Sequence, residues 1–503
     1  MIPRISQDHF DELARRWGFS IGTDEADAYR DLLDRVLAVV DEVEPSPAAP
    51  PSRDTGRPPQ PGEDPLNAVV RWCRVQEQEE GPLAGIRVAL KDSMALAGVP
   101  MTCGSRVLEG YVPPRDAVIV ERLLGAGAEI VAITNMDDLA FSGGGDTSAY
   151  GATLCPFDLE RTAGGSSGGS AGVLWYDGVD VGLGTDQGGS IRVPAAWCGV
   201  VGLKPTHALV PYSGIVGIDR TFDHAGPMAR SVEGAARALD VMAPEASAVS
   251  AVDAAPADLS GVRLGVVTEG LGEGVGAQAV VVEALEAALD RFRGLGAEVV
   301  ERSLPEHLQA GGIAFAGFVE GVTALFAGGG NGFHHEGPYE PELALALGEG
   351  LAERGDTLPP QVKTALLAGT HLERLYLGAA YATAQNRRPE LRAAYDRALD
   401  GLDALVFPTT PGLPHGVDPE LPMAERVWRG WALLANTYPT DMTGHPALSL
   451  PLAEAEGLPV GVMLVGRHGD DARLLALGRT AERELGWRPD PAGVRARAAV
   501  PQL

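Results

Sequence analysis

The sequence contains few cysteines, and none of them has the spacing of a metal site. Its four cysteines lie far apart and form no CxxC pair: Cys73, Cys103, Cys155 and Cys198. The adjacent histidines His334 and His335 lack the i, i+4 spacing of a helical zinc pair, and we interpret them as loop residues. This pattern is typical of free thiols in a reducing cytoplasm. We therefore expect a cytoplasmic protein without disulfides or a metal site.

Positive charge is also scarce. The chain has 40 basic and 68 acidic residues, for a formal net charge of −28. Nucleic acids and anionic membrane surfaces both require a basic patch, so neither is expected as a partner. No run of 18 or more apolar residues occurs, and the polar N-terminus lacks the apolar stretch of a signal peptide. We expect no membrane partner.

Lysine is the scarcest source of positive charge. Only three of the basic residues are lysines, namely Lys91, Lys204 and Lys363. A buried lysine can lose its proton, whereas an arginine cannot, so each of these positions is of interest. Lys91 ends the apolar run IRVALK and is the only lysine in the first 200 residues. We assign Lys204 a structural role and expect Lys363 at the surface.

The N-terminal part differs in pattern from the rest. Residues 6–44 carry apolar positions at helical spacing and predict two helices. The following segment, 44–65, is rich in proline and charge and predicts a linker. We therefore divide the chain into a helical N-terminal segment with its linker, 1–62, and a main domain, 63–503.

The main domain alternates strand-like and helix-like segments. This alternation predicts an α/β fold with a covered sheet, and residues 306–400 are mostly helical in pattern. The predicted strands are 86–92, 129–135, 264–270, 297–304, 403–410, 447–452 and 460–466. The predicted helices are 117–127, 278–294 and 470–485.

Three glycine-rich segments lie close together, at 141–151, 162–172 and within 181–202. The second, TAGGSSGGSAG, has the composition of a flexible linker, yet apolar segments flank it on both sides. Glycine loops can also bind phosphate, but the sequence has neither a P-loop nor a dinucleotide-binding fingerprint, and no GxSxG elbow. The three segments therefore predict one site built from closely approaching backbone.

Serine chemistry without histidine fits this site best. A serine nucleophile needs a nearby base, and its tetrahedral intermediate needs N–H donors. Gln187, Gly188 and Gly189 precede Ser190 and could supply those donors as an oxyanion hole. Neutral Lys91 could be the base, because lowering a lysine pKa from about 10.4 to about 7.5 costs roughly 4 kcal/mol, which burial can supply.

Three ordered motifs in the sequence resemble the amidase signature family: VALKD (88–92), GGSSGGS (164–170) and GTDQGGSIR (184–192). The resemblance extends from about residue 80 to the C-terminus. Four longer stretches are similar to the amidases that follow nitrile hydratase in nitrile breakdown: 195–214, 219–231, 443–451 and 457–468. The resemblance implies the amidase-signature fold, a large mixed β-sheet with helices on both faces. It also implies that the helical extension forms a homodimer.

The resemblance further implies a Ser–cis-Ser–Lys triad. Ser190 would be the nucleophile, Ser166 the bridging serine after a cis peptide, and Lys91 the base. Asp186 and Arg192 would support the nucleophile segment, with a plain surface ion pair as the alternative. The family segment that lines the acyl pocket would comprise Phe141, Gly143 and Gly144.

The implied activity is hydrolysis of a small-molecule amide through an acyl-enzyme, without a metal or organic cofactor. The sequence leaves the leaving group open, because pocket side chains decide between amides, arylamides, carbamates and esters. The amidotransferase subunits that pass ammonia to a partner share the same triad and are a second alternative. An inactive binding module is the remaining alternative, which the complete set of Lys91, Ser166 and Ser190 disfavours.

Overall fold

The structure, a computed structural model, describes residues 4–43, 49–335, 337–485, 491, 494 and 498–501. The chain forms two compact units, Met1–Ala49 and Pro50–Leu503. This division lies before the predicted boundary between residues 62 and 63. Part of the predicted linker therefore belongs to the second unit, where Arg57 and Trp72 form an isolated β-bridge and exchange two backbone hydrogen bonds of 2.9 Å.

The first unit contains two helices, α1 (Gln7–Trp17) and α2 (Thr23–Val40), as predicted. Ser6 caps α1 by accepting a hydrogen bond from the His9 N–H, and Gly18 ends it in the left-handed conformation. Both helices carry exposed apolar side chains: Trp17, Tyr29, Leu32, Val36, Val39 and Val40. Whether these residues bind a second copy of the chain remains a prediction.

The second unit contains a large mixed sheet. Its strands, with a separate two-stranded ribbon of β4 and β5, are β1 (Val69–Val75), β2 (Arg87–Lys91), β3 (Glu129–Thr134), β4 (Leu154–Cys155), β5 (Asp158–Thr162), β6 (Val181–Asp186), β7 (Val201–Lys204), β8 (His224–Ala229), β9 (Arg263–Val267), β10 (Glu298–Arg302), β11 (Ala404–Pro408), β12 (Ala447–Ala455) and β13 (Leu458–Val465). Within the described residues, the 11-stranded sheet has the order β1-β3-β2-β6-β8-β7-β12-β13-β11-β9-β10. Strand pairs β2/β3, β2/β6, β9/β10 and β9/β11 are parallel, and the others are antiparallel.

Helices surround this sheet: α3 (Val118–Gly125), α4 (Gly168–Gly172), α5 (Arg192–Trp197), α6 (Val232–Met242), α7 (Ala248–Asp253), α8 (Ala279–Gly294), α9 (Glu306–Ala327), α10 (Pro341–Arg354), α11 (Pro360–Tyr376), α12 (Ala379–Ala398), α13 (Met423–Ala432), α14 (Tyr438–Thr443) and α15 (Asp471–Leu485). Every residue of β6, β11 and β13 is buried. Side chains alternate between the two faces of a strand, so both faces of the sheet are covered. The predicted α/β fold with a covered mixed sheet is confirmed.

The parallel strands β2, β3 and β6 place their carboxyl ends at one edge of the sheet. Lys91 ends β2, and Thr185 and Asp186 end β6. Chain segments that follow parallel strands are the usual place for a site in an α/β sheet. Two of the glycine-rich segments, which contain Ser166 and Ser190, lie on either side of β6 in the sequence.

A close approach between β6 and α4 sets the position of the first of these segments. A methyl group at Gly182 of β6 would lie 2.1 Å from the carbonyl oxygen of Ser170 in α4. The Ser170 hydroxyl also lies 2.6 Å from Thr134 Oγ1 at the end of β3. The helix that follows Ser166 is therefore held directly against the two strands that flank β2 in the sheet, the strand of Lys91.

Helix α9 is long and apolar enough to cross a membrane, by length and composition alone. In the structure it packs against α11, α12 and α14. Its buried residues include His307, Ala314, Phe318 and Val322. These contacts are those of a core helix in a folded domain.

The contact between β6 and α4 predicts that Gly182→Ala destabilises the protein. The added methyl group meets backbone, so overpacking should cost about 1–3 kcal/mol. Gly348 of α10 provides the matched control, because a methyl group there meets nothing within 4 Å. Gly348→Ala should gain about 0.5–1 kcal/mol from the higher helix propensity of alanine. Thermal unfolding midpoints of both variants test this, and a Gly182→Ala midpoint equal to that of Gly348→Ala would contradict it.

Candidate active site

Lys91 is fully buried and makes two hydrogen bonds to hydroxyl groups. Its Nζ lies 2.7 Å from Ser166 Oγ and 2.8 Å from Thr185 Oγ1. Burial lowers the pKa of Lys91 to about 7, although the nearby charges of Asp137 and Asp186 act in the opposite direction. A substantial fraction of the Lys91 amine is therefore neutral at neutral pH, as a general base requires.

The peptide bond between Gly165 and Ser166 is cis. Asp137 lies directly beside it: a methyl group at Gly165 would come within 1.8 Å of Asp137 Oδ2. The Asp137 carboxylate accepts hydrogen bonds from the N–H groups of Gly145 and Thr147, each at 2.9 Å. Only glycine fits at position 165, which explains one glycine of the stretch that resembles a linker.

Ser190 lies on the turn between β6 and α5 and is 4% exposed. Its carbonyl oxygen accepts a hydrogen bond of 3.2 Å from the Ser167 N–H, which joins the two serine segments. In the described part of the chain Ser190 Oγ makes no hydrogen bond, so the structure contains the Lys91–Ser166 bond but no Ser166–Ser190 bond. Hydrogen bonds between catalytic groups often shorten only when substrate binds.

The turn that carries Ser190 contains backbone N–H groups without an acceptor in the described structure. The N–H groups of residues 187–190 donate to no acceptor among the residues that the structure describes. The Gly188 carbonyl oxygen accepts a hydrogen bond from Thr437 Oγ1. Unpaired buried N–H groups are rare in folded proteins, and next to a serine they can stabilise an oxyanion.

A fully buried ion pair holds the turn that carries Ser190. Arg192 Nε and Nη2 lie 2.9 Å from Asp186 Oδ2 and Oδ1, respectively, and Asp186 also accepts from the Ile191 N–H. Arg192 also donates to the Thr437 carbonyl oxygen at 2.9 Å and to Asp441 Oδ2 at 2.8 Å. The alternative of a plain surface ion pair is therefore wrong, because both Asp186 and Arg192 are 0% exposed.

Two buried carboxylates, Asp186 and Asp441, form ion pairs with the single guanidinium of Arg192. Burial alone would raise the pKa of Asp186, but the Arg192 charge and hydrogen bonds lower it. Burial and the Asp186 charge raise the pKa of Asp441 well above its usual value. Lys204 lies nearby, fully buried, and burial lowers its pKa to about 8. Lys204 thus belongs to the charged interior behind the site, in agreement with the structural role that we expected.

A narrow apolar cavity opens onto Ser190; it is partly open to solvent, and the space within it, including that solvent, is about 320 Å³. Its walls come from distant parts of the chain: Ala140, Phe141, Ser142, Gln187, Gly188, Ser190, Ile218, Phe318, Trp431 and Leu434. Phe141 lies edge-on to Trp431, with ring centroids 6.3 Å apart, and its carbonyl oxygen accepts from the Trp431 indole N–H. The cavity fits an apolar group bound to a carbonyl that faces Ser190.

Gly143 and Gly144, predicted to line this pocket, do not form its wall. The Gly143 N–H donates to the Gly430 carbonyl oxygen at 3.0 Å, and its own carbonyl accepts from the Gly165 N–H at 2.8 Å. A methyl group at Gly143 would lie 2.7 Å from Leu434, so Leu434 stands between Gly143 and the cavity. Of the three predicted residues, Phe141 is on the wall of the cavity and the two glycines are not.

Several residues of the site were not found from the sequence. Thr185 lies at the end of β6, which pairs with β2, the strand that ends in Lys91. A correct prediction of this strand pairing would have indicated that Thr185 lies near Lys91. Asp137 follows the predicted strand 129–135, and this position after a strand could likewise have indicated a place at the site. Phe318 and Trp431 lie far from the motifs, and nothing in their local sequence indicates a contact with Ser190.

Comparisons with known proteins identify the family of the chain. The Amidase family model matches residues 70–475. The chain is 38% identical over 494 residues to an enantioselective amidase of Rhodococcus rhodochrous, with 94% of each chain covered. It is 39% identical to a glutamyl-tRNA(Gln) amidotransferase subunit of Symbiobacterium thermophilum, in an alignment that covers 80% of this chain and 83% of that one.

Among solved structures, the native peptide amidase of Stenotrophomonas maltophilia has the same fold. The TM-score is 0.66 at 28% identity, and the alignment covers 85% of this chain and 91% of that one. The buried lysine, the cis peptide, the serine turn and these relatives lead to one conclusion: the chain belongs to the amidase family and is an amide-hydrolysing enzyme.

Proposed function

We propose that the enzyme cleaves its amide through an acyl-enzyme on Ser190, with Ser166 and Lys91 as the proton relay. The observation that carries this proposal is the hydrogen bond of 2.7 Å between Lys91 Nζ and Ser166 Oγ in a fully buried site. A neutral Lys91 amine accepts the Ser166 proton, and Ser166 in turn accepts the proton of Ser190. The Ser190 oxygen then attacks the carbonyl carbon.

The second half of the reaction reverses this relay. The lysine proton returns through Ser166 to the nitrogen of the leaving group, and the C–N bond breaks to release ammonia or an amine. Water then attacks the ester on Ser190, its proton passes to the same relay, and the carboxylic acid is released. The bridging serine lets one lysine act as base and as acid at two different atoms.

The free N–H groups of residues 187–190 support an oxyanion hole in this proposal. They are fixed by the buried Asp186–Arg192 pair, which joins the start and the end of the turn. Fixed donors need no reorganisation when the carbonyl oxygen gains charge. In other enzymes, removal of one such donor lowers kcat by about 10²–10³-fold.

A self-sufficient amidase fits better than a protein that passes ammonia to a partner. The enantioselective amidase aligns over 94% of both chains, so the similarity includes residues outside the range of the family model. The amidotransferase relative covers only 80% of this chain. We further propose a homodimer through the helical extension, whose apolar side chains are exposed, and a cytoplasmic location, in keeping with four buried free thiols.

The nucleophile is tested with Ser190→Ala. Hydrolysis of phenylacetamide by the purified chain alone should fall by about 10⁴-fold or more. Wild-type enzyme quenched during turnover should carry an added acyl mass on the peptide that contains Ser190, and the variant should not. Ser250→Ala, at an exposed serine, is the matched control. An adduct on another residue would refute the assignment.

Dependence on a partner is tested in the same assay. We expect the purified chain to hydrolyse simple amides without any added protein. Activity that appears only with an added partner protein would favour the amidotransferase-like alternative. A panel of amides, anilides, carbamates and esters, ranked by kcat/KM, identifies the preferred leaving group.

The base is tested by pH. Since Lys91 must be neutral and its pKa is about 7, kcat/KM should fall by about tenfold per pH unit below this value and level off above it. Lys91→Arg should lose activity at every pH, because arginine stays protonated. Lys363→Arg is the matched control, since Lys363 is exposed. Near-normal activity of Lys91→Arg would rule out the base role.

A further inference from the structure

A second and larger cavity lies beside the one that opens onto Ser190. Its empty volume is about 1450 Å³, and Ile218 lines both cavities. Helix α9 also contributes to both, with Phe318 on the first and Glu320 and Gly321 on the second. Ile218 and α9 therefore form a wall that the two cavities share.

Two carboxylates on the wall of this cavity are about nine-tenths buried. Asp219 is 9% exposed and Glu320 is 8% exposed. Each has one oxygen without a hydrogen-bond partner among the described residues, Asp219 Oδ2 and Glu320 Oε1. A methyl group at Gly321 would lie 3.0 Å from Asp219 Oδ2, so this oxygen faces the turn of α9 that follows Glu320. Buried carboxylates are costly unless a cation or a donor compensates them.

The two nearby arginines, Arg220 and Arg388, donate their hydrogen bonds to other groups. Arg220 donates to the Tyr212 carbonyl oxygen and stacks over the Tyr212 ring, with its guanidinium carbon 5.4 Å from the centroid. The Asp219 charge acts on Arg388, but Arg388 donates to the carbonyl oxygens of Met442 and Thr221 and to Gln385. Neither arginine forms an ion pair with Asp219 or Glu320 in the described structure.

A third carboxylate and a few neutral polar groups complete the polar part of the wall. Glu373 lines the cavity, and burial together with the Glu373 charge raises the pKa of Glu320. Burial and the Asp219 carboxylate, to which the Tyr381 hydroxyl donates a hydrogen bond, raise the pKa of Tyr381 to about 12, so this hydroxyl is a neutral donor on the wall. Among the residues that the structure describes, His334 and His335 are the other titratable groups on the wall of this cavity.

We propose that the second cavity binds an ammonium group carried by the amide substrate, recognised by Asp219 and Glu320. This proposal rests on Ser190 as the site of amide cleavage. The substrate class is then an amide with an apolar middle portion, which fits the walls of the first cavity, and a protonated amine at a distance from the scissile bond. An ammonium group supplies three N–H donors, enough for both unpaired carboxylate oxygens.

The test compares charged amides with uncharged substrates of the same shape. One pair is 6-aminohexanamide and heptanamide, with the charge on the acyl side. The other is N-(5-aminopentyl)acetamide and N-hexylacetamide, with the charge on the leaving group. In at least one pair, kcat/KM should be higher for the charged member by about tenfold, because hydrogen bonds to charged groups are strong.

Variants assign this preference to the cavity. Asp219→Asn and Glu320→Gln should each lower the ratio of charged to uncharged kcat/KM by about tenfold. Glu349→Gln, which removes an exposed carboxylate from α10, is the matched control and should keep the wild-type ratio. If the wild-type enzyme has the higher kcat/KM for the uncharged member of both pairs, the proposal is overturned, whatever the variants show. A preference that both variants retain would also overturn it.

Two further outcomes separate the causes of failure. If no member of either pair is hydrolysed while Ser190→Ala matches the wild type on every amide, the proposed function itself is wrong. If hexylammonium inhibits non-competitively and the charged substrates have no advantage, the cavity binds a separate amine, and the assignment to the substrate is wrong.

Discussion

Burial of the Lys91 amine is the constraint on which the site depends. The amine lies at the end of β2 with two hydroxyl groups as hydrogen-bond partners, and neither partner carries a charge that would favour the ammonium form. One hydroxyl comes from β6 and the other from the segment before α4, so two elements must be placed within about 3 Å of the same atom, the hydrogen-bonding distance. The parallel pairing of β2 with β6 and the glycine contact between β6 and α4 achieve this placement.

The turn that carries Ser190 is held differently, by charge rather than by desolvation. Asp186 and Arg192 form a bidentate pair across the turn, and Arg192 continues to Asp441 and the Thr437 carbonyl oxygen on the segment around α14. A buried ion pair of this kind adds little net stability, since desolvation offsets the attraction. Its value lies in geometry: it fixes one conformation of a glycine-rich turn that would otherwise have many.

Much of the fold, and the residues proposed to react, could be predicted from the sequence. Many strand and helix positions followed from apolar periodicity, and Lys91, Ser166 and Ser190 followed from the resemblance of three short motifs to a known family, because these patterns are local. The residues that line the pocket were harder to predict. Phe318, Trp431 and Leu434 reach Ser190 only through tertiary contacts, and Gly143 faces Leu434 instead of the cavity. The linker also ended earlier than composition indicated, since Arg57 bridges to Trp72 through backbone that composition does not report.

The scarcity of lysine has a practical consequence. Lys91 and Lys204 are both 0% exposed, whereas Lys363 is exposed. An amine-reactive dye, crosslinker or resin therefore has a single accessible lysine side chain in the folded enzyme, on helix α11. Among the lysine side chains, conjugation would therefore occur at one position on α11 and leave the buried Lys91 unmodified, with the N-terminal amine as the other candidate for attachment.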